Sequence, residues 1–522
     1  MNNTTDNRRI AKNTLVLYIR MLFTMGVSLF TSRVILQVLG VEDYGIYSVV
    51  GGFVMMFTFI NSGMVASTQR YLNFEIGLGN SEQLSRVFST SLQIHALIAL
   101  AILFLSETIG LWFLYEKLVI PEDRITAAFW VYQCSIATCI INIMSVPYNA
   151  DIIAHEKMSA FAYISIVEVS LKLLVVYILY ISPWDKLILY AILLLLVQLS
   201  IRWIYARYCT KYFPESHYQH FIDKSLLKEM CSFAGWGFFG GLANVLYTQG
   251  LNILLNLFYG PIANAARGIA VQVQSAVQGF VSNFQMAVNP QITKSYAVGN
   301  LTQMHSLIFR SARFSFFLLY FLTLPIIVEA RYILTVWLEN PPADSITFTR
   351  WMLAVSLLYT MSNPCIIANQ ATGKIKKYQI VVGGILLLIV PISYVALLLG
   401  APAYVVFAVH FIMECVAQFF RMYMLRNLIN LPIISYIKNI YIPVVAVVIL
   451  SSLPAVYVRS LLPDGLLRFI CVGITSVMFV GLNVFLIGLT RNERRIIIDK
   501  LIIIKNKLLN NIYQDDKCNP ES

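Results

Sequence analysis

Charge is what this 522-residue chain has least of. Asp, Glu, Lys and Arg make up 12% of it, against 58% hydrophobic residues. Soluble globular proteins carry about 25% charged residues, so a water-facing surface of this size is excluded. Catalytic signatures are missing too. There is no GxxxxGK[ST] phosphate loop (Gly373-Lys374 is followed by Ile375), no HExxH, no CxxC and no GxSxG. No long polar segment interrupts the apolar sequence, which leaves no room for an extramembrane catalytic domain. The eight cysteines lie within apolar runs or on the side read below as cytoplasmic, so no disulfide framework is expected. The polar N-terminus leads into an apolar run too long for a signal-peptide core, and no small-residue cleavage site follows it. The first span is therefore expected to be retained.

What is present is a series of fourteen apolar runs, at 14–38, 44–66, 87–113, 125–149, 159–181, 186–206, 229–256, 261–287, 308–328, 347–367, 378–399, 402–424, 438–458 and 466–489. Runs of about 20 residues match the roughly 30 Å hydrocarbon core of a bilayer. There the backbone must satisfy its own hydrogen bonds, so helices are the default and barrel strands would be about half as long. The expected fold is an all-α polytopic membrane protein of about fourteen transmembrane helices.

Positive charge sets the orientation. Of 38 Lys and Arg, 27 fall before span 1, after span 14 or in the loops after even-numbered spans, with Arg202, Arg310, Arg313, Arg421 and Lys438 at the inner ends of their spans counted with the adjoining loops. The other face holds seven: Lys117, Arg124, Lys186, Arg331, Arg350, Arg459 and Arg468. The positive-inside rule then puts both termini in the cytoplasm. The net charge of +12 flanks apolar spans and forms no continuous patch, so anionic membrane lipids are the expected partner and nucleic acid is not.

Landmarks recur between the halves. Gly40 closes span 1 and Gly260 closes span 7, 220 residues later; Gly79-Asn80-x-x-Gln83 returns as Gly299-Asn300-x-x-Gln303 at the same offset. Ser145-x-Pro147 with Lys157 returns as Ser362-x-Pro364 with Lys374 at an offset of 217. Six spans per half is an even number, so the halves enter the membrane in the same direction and a pseudo-two-fold would run along the membrane normal. This gives an N-lobe at 1–206, a cytoplasmic linker at 207–228, a C-lobe at 229–424, two additional spans at 425–489 and a basic tail at 490–522.

Ionisable residues inside a bilayer are functional candidates. Glu168 and Lys172 lie mid-span 5 at i,i+4, either a self-neutralising pair or part of a cavity. His410 and Glu414 repeat that spacing in span 12. Together they suit proton uptake and release, or else a hydrogen-bonded packing contact. Arg20 and Arg33 in span 1, and Arg267 at the start of span 8, either snorkel to an interface or line a cationic cavity, where the guanidinium fork fits phosphate oxygens. Spans 7 and 8 are rich in amides: Asn244, Gln249, Asn252 and Asn256, then Asn264, Gln272, Gln274, Gln278, Asn283 and Gln285. So many in two adjacent spans suggest a face lining water or sugar hydroxyls, with interhelical glue as the alternative. His95, alone in span 3, reads as a packing residue.

The N-terminal R-R-x-x-K-N-T (Arg8 to Thr14), the L-G-V-E-D-Y-G-I-Y that ends span 1 (Leu39 to Tyr47), and Q-R-Y-L before a G-x-G-N loop (Gln69 to Asn80) resemble one family. It is the polysaccharide-transport branch of the multidrug/oligosaccharidyl-lipid/polysaccharide (MOP) exporter superfamily, especially its Wzx-type repeat-unit flippases. The resemblance implies a V-shaped pair of six-helix lobes around a central cationic cavity in the bacterial inner membrane. It implies transfer of an undecaprenyl-diphosphate-linked oligosaccharide from the cytoplasmic to the periplasmic leaflet by alternating access, beside polysaccharide polymerase machinery. Cavity arginines in span 1 are a theme of that family, which points to Arg20 and Arg33. The full set of cavity candidates is Arg20, Arg33, Lys172, Asn252, Asn256, Arg267, Gln272 and Gln278. Glu168, His410 and Glu414 are candidates for coupling to H+ or Na+, and no cofactor, resident metal or catalytic residue is expected. Two other readings stand beside this one: a cation-coupled drug exporter of the same superfamily, and a membrane enzyme such as a polymerase of the same glycans.

Overall fold

The computed structural model describes residues 3–495 apart from 57–60, 117–119, 220–222, 339 and 343, together with Ile498. All regular structure among the described residues is helical. Ten helices are each long and apolar enough to cross a bilayer, from Ser81–Glu116 to Leu466–Gly488. The remaining four spans come from two long helices, each broken at one glycine. Asn3–Met56 breaks at Gly40 (φ 78°, ψ 171°), and Lys224–Ala297 breaks at Gly260 (φ 73°, ψ −172°). Only glycine holds that backbone conformation without strain. The chain therefore folds back on itself at the same place in each half. The described parts of span 2 are residues 41–56 and Ser62–Leu78, and with the ten helices above these four make fourteen membrane spans among the described residues.

The other repeated landmarks also share geometry. Gly79 and Gly299 end their helices in left-handed conformations with φ of 71° and 73°. Asn80 and Asn300 then cap the next helices, each side chain accepting from the backbone N–H three residues on. Such caps satisfy a donor that a helix start leaves open. Pro147 and Pro364 lie inside helices that end at Ala154 and Ala371.

Each half encloses apolar cores. In the first, Leu72, Val87, Phe88, Ile152 and Cys209 are fully buried. In the second, Ile292, Met304, Leu353, Cys365 and Tyr436 are. Spans 13 and 14 extend the second core, with Val447, Ala455 and Val472 packed into it. Asn483 there donates to Ser451 Oγ at 3.0 Å. The opposite faces of the helices present Leu100, Phe104, Ile181, Leu399 and Met478 outward, as a lipid-facing perimeter requires.

Candidate functional site: the cleft between the lobes

The halves meet on the face that carries the basic loops, here the basic face. Span 2 packs on span 7 through Gly63, where an added Cβ would lie 2.2 Å from the Ala234 carbonyl oxygen. Nearer the basic face, Ser67 Oγ donates to the Met230 carbonyl at 3.1 Å, and the Tyr71 hydroxyl donates to Glu229 at 2.7 Å. At the end of span 2, Gly77 lets the helix lie against Ala297 and Lys294 of span 8.

Two reciprocal clasps close this face. Arg70 of span 2 crosses to the turn after span 10, where its Nη2 donates to the Ala371 carbonyl at 3.3 Å beside Gly373. The same guanidinium lies 4.3 Å from the Tyr71 ring centroid and 5.2 Å from that of Phe74. In the other direction, Lys294 of span 8 crosses to the turn after span 4. Its Nζ pairs with Glu156 Oε1 at 2.8 Å, and Gln291 donates to Oε2 at 3.1 Å. Glu156 and Gly373 stand at the repeat offset of 217, and both have positive φ, 58° and 73°.

Spans 1 and 8 show where the contact stops. Leu17, Ile153 and Met158 bury Ala287 completely. One turn further along span 1, the Tyr18 and Phe280 rings are 6.1 Å apart and Met21 faces Gly279. Beyond that level Phe23, Met25 and Phe30 on span 1 are exposed, as are Gln272 and Ser275 on span 8. Among the described residues, the hydrogen bonds and ion pairs that join the halves lie on the basic side of this level. The lobes thus form a cleft shut at the basic face and spread toward the opposite one.

Arg20 sits within one residue of the Met21–Gly279 floor. Its guanidinium stacks 4.7 Å from the Phe161 ring of span 5, and Nε and Nη1 are buried with no hydrogen-bond partner. Arg267 is 6% exposed and held within the second half: Nη1 bonds Asn252 Oδ1, Nη2 donates to the Thr248 carbonyl at 3.2 Å, and Nε is buried without a partner. Arg20 and Arg267 are therefore each anchored in their own lobe. The side chains of Arg33 and Asn256 lie outside the described residues. Lys172 and Glu168 pair at 2.6 Å, part-exposed, and Gln198 of span 6 donates to the same carboxylate oxygen.

The amides of spans 7 and 8 divide by role. Gln285 is glue, donating to Ser315 Oγ and the Thr360 carbonyl at 3.0 Å each. Asn252 serves Arg267 and also donates to Gln249. Gln272 is exposed, and Gln278 keeps a buried Oε1 without a partner next to the Gly279 floor.

In span 12 the expected imidazole–carboxylate partnership gives way to another. Glu414 pairs with Arg421 at 2.6 Å, and Arg421 also donates to Ser362 Oγ at 3.0 Å and to the Tyr378 hydroxyl at 3.2 Å. The His410 ring instead packs edge-on to Tyr247, with centroids 5.2 Å apart. The division of basic residues by face places Arg421 with the loop cations, although Glu414 and Arg421 are seven residues apart and hence two turns along one face. Arg202 stands with them. It sits over the Tyr148 ring at 4.1 Å with a buried, unpartnered Nη1. Its signal was the Gln198/Arg202 spacing inside an apolar helix.

This is the architecture of the MOP-superfamily membrane transporters. A MATE transporter solved in a bent conformation superposes with a TM-score of 0.70 at 14% identity, over 81% of this chain and 96% of that one. The MATE transporter ClbM in complex with Rb+ gives 0.67 at 16%, over 80% and 95%. A MOP-superfamily transporter from Pyrococcus furiosus, whose binding pocket is described as reversed in polarity, gives 0.66 at 13%, over 81% and 96%. A search of curated proteins by sequence returned no match. The family is nonetheless defined: the model of the polysaccharide biosynthesis protein family matches residues 10–296, more than half of the sequence, and the chain belongs to that family.

Proposed function

We propose that this protein flips a polyprenyl-diphosphate-linked oligosaccharide, the repeat unit of a surface polysaccharide, from the cytoplasmic to the periplasmic leaflet of a bacterial inner membrane by alternating access. The basic face is then cytoplasmic, both termini lie there, and the described conformation is open to the periplasm. The observation that carries the reading, beside family membership, is Arg20. It is a guanidinium beside the cleft floor whose Nε and Nη1 are buried without a hydrogen-bond partner. A fixed positive charge with a planar fork suits a diphosphate. Lys172, Arg267, Asn252, Gln272 and Gln278 extend the proposed path for headgroup and sugar, and Arg33 and Asn256 remain candidates along it. The lipid tail stays in the bilayer while the headgroup crosses.

A headgroup of charge near −2 gains about 4–5 kcal/mol from an inside-negative potential of about 100 mV when it moves outward. Arginines that travel with it reduce that gain, which gives coupling to H+ or Na+ a purpose. Glu414 is paired with Arg421 and Glu168 with Lys172, so of the three ion-coupling candidates His410 is the most available. A polysaccharide polymerase would receive the flipped unit. The second reading, a cation-coupled drug exporter, is favoured by the shared MATE fold, but cationic drugs would meet repulsion from Arg20 and Arg267.

Arg20→Ala with Arg267→Ala is expected to abolish surface polysaccharide while lipid-linked units accumulate facing the cytoplasm. Normal export by a well-expressed double variant would overturn the proposal. Lost drug resistance with intact surface glycan on deletion would favour the exporter instead. Single repeat units still displayed at the surface would indicate a polymerase.

A further inference from the structure

Asp151 and His155 occupy the last turn of span 4 and its end, one helical turn apart on the basic face. Glu215 lies in the short turn Pro214–Ser216 that follows span 6. One ligand atom from each lies within 4.8 Å of the others. His155 Nε2 contacts Glu215 Oε1 and is 3.7 Å from Asp151 Oδ1. The imidazole is held in plane by Phe213, stacked at 4.2 Å with an interplanar angle of 7°.

The decisive atom is Asp151 Oδ1. The side chain is fully buried; Oδ2 accepts from Ser216 Oγ at 2.8 Å, but Oδ1 faces His155 with no hydrogen-bond partner. A clasp of His155 with Glu215 accounts for the imidazole and leaves that oxygen unexplained. An unpaired buried carboxylate oxygen is costly. Two carboxylates and one imidazole converge in a largely enclosed site, while His155, 26% exposed, leaves a way in from solvent.

We propose that Asp151, His155 and Glu215 form a binding site for a divalent transition-metal cation of the Zn2+ class. One imidazole nitrogen and two carboxylate oxygens are a known donor set for that ion, with metal–ligand distances of about 2.0–2.2 Å and a fourth position for water. Ser216 orients the Asp151 carboxylate from behind. The cation ties the end of span 4 to the segment after span 6 and fixes His155, the residue immediately before Glu156. It thereby holds the turn that presents Glu156 to Lys294, so occupancy stabilises the conformation closed at the basic face.

The test uses the purified full-length protein in detergent, stripped with chelator and titrated with Zn2+ alone. The expected result is one ion per chain and a rise in thermal stability. His155→Ala and Glu215→Gln should each weaken binding about 100-fold or more, as does loss of a direct or supporting ligand contact. Asp151→Asn should do the same, and the two less buried positions carry the test if that variant fails to fold. Co2+ in place of Zn2+ should give visible d–d bands without thiolate charge transfer, separating this site from the cysteines. Absent stoichiometric binding, binding indifferent to all three substitutions, or a thiolate band would each overturn the proposal.

Discussion

Lys294→Ala is the substitution with the most legible consequence. Lys294 is 20% exposed and Glu156 1% exposed in their side chains, so the ion pair is shielded on the acidic side. Removing the lysine takes the cation from a buried carboxylate that also accepts from Gln291. Breaking a buried pair from one side costs about 3–5 kcal/mol. The loss falls only on the conformation closed at the basic face, because once the lobes part Glu156 is hydrated. At about 1.4 kcal/mol per tenfold, the closed state becomes roughly 100-fold or more less favoured relative to the open one.

Backbone strain supplies an internal control. Glu156 holds a left-handed conformation, which costs a non-glycine residue about 1–2 kcal/mol. Glu156→Gly removes the pair and the strain together, whereas Glu156→Ala removes the pair alone. The glycine variant should therefore be about 1–2 kcal/mol more stable than the alanine variant in thermal unfolding, with the lobes equally unclasped. The readout is a cysteine at Ala287, fully buried where the halves meet, probed with a membrane-impermeant thiol reagent. Cys231, Cys415, Cys471 and Cys518 are first replaced by Ser, because the other four native cysteines are buried. Labelling should be slow in the parent and fast in Lys294→Ala, Glu156→Ala and Glu156→Gly. Equal labelling of all four proteins would show that the clasp does not hold the lobes together.

Three further outcomes follow from the same geometry. Arg421→Met should lower stability by about 3–5 kcal/mol by stranding Glu414, and Arg421→Met with Glu414→Leu should recover most of it in thermal unfolding, because an apolar replacement for a buried pair is often neutral. Gly63→Ala should force spans 2 and 7 apart, since its Cβ meets backbone atoms at Ala234 and Phe238; a cost of about 1–3 kcal/mol and faster labelling at position 287 are expected. Asn80→Ala and Asn300→Ala should each cost about 1 kcal/mol, and nearly equal losses are expected from the shared cap geometry.

Apolarity marked all fourteen spans but understated their length. The expected span 8 ends at 287, whereas the helix runs to Ala297; the expected span 2 ends at 66, whereas the helix runs to Leu78. Hydropathy reports lipid depth, and these extensions lie past it, where Arg70, Gln291 and Lys294 make the clasps. Gly40, Gly260 and the two Gly-Asn loops were readable because each needs a particular local backbone. Side-chain partnerships were less readable. Spacing of i,i+4 places His410 and Glu414 on one face but cannot tell that Arg421 and Ser362 claim the carboxylate. Asp151 and Glu215 are brought together only by the packing of spans 4 and 6, so no local pattern announces them.

The duplication explains why the two clasps differ. Each half offers the turn after its fourth span to the long second span of the other half, and that turn needs a left-handed residue. The second half fills the position with glycine, and Arg70 takes a carbonyl and aromatic rings there. The first half fills it with glutamate and accepts strain of about 1–2 kcal/mol, offset by a shielded ion pair to Lys294. One clasp therefore sets a cation against a carbonyl and aromatic rings, and the other sets it against a carboxylate. A device that regulates closure has leverage only on the second, and there the backbone is already held away from its preferred conformation. The Asp151–His155–Glu215 cluster abuts that turn, one residue before the strained glutamate, and its pseudo-symmetric counterpart beside Gly373 would have no charge to control.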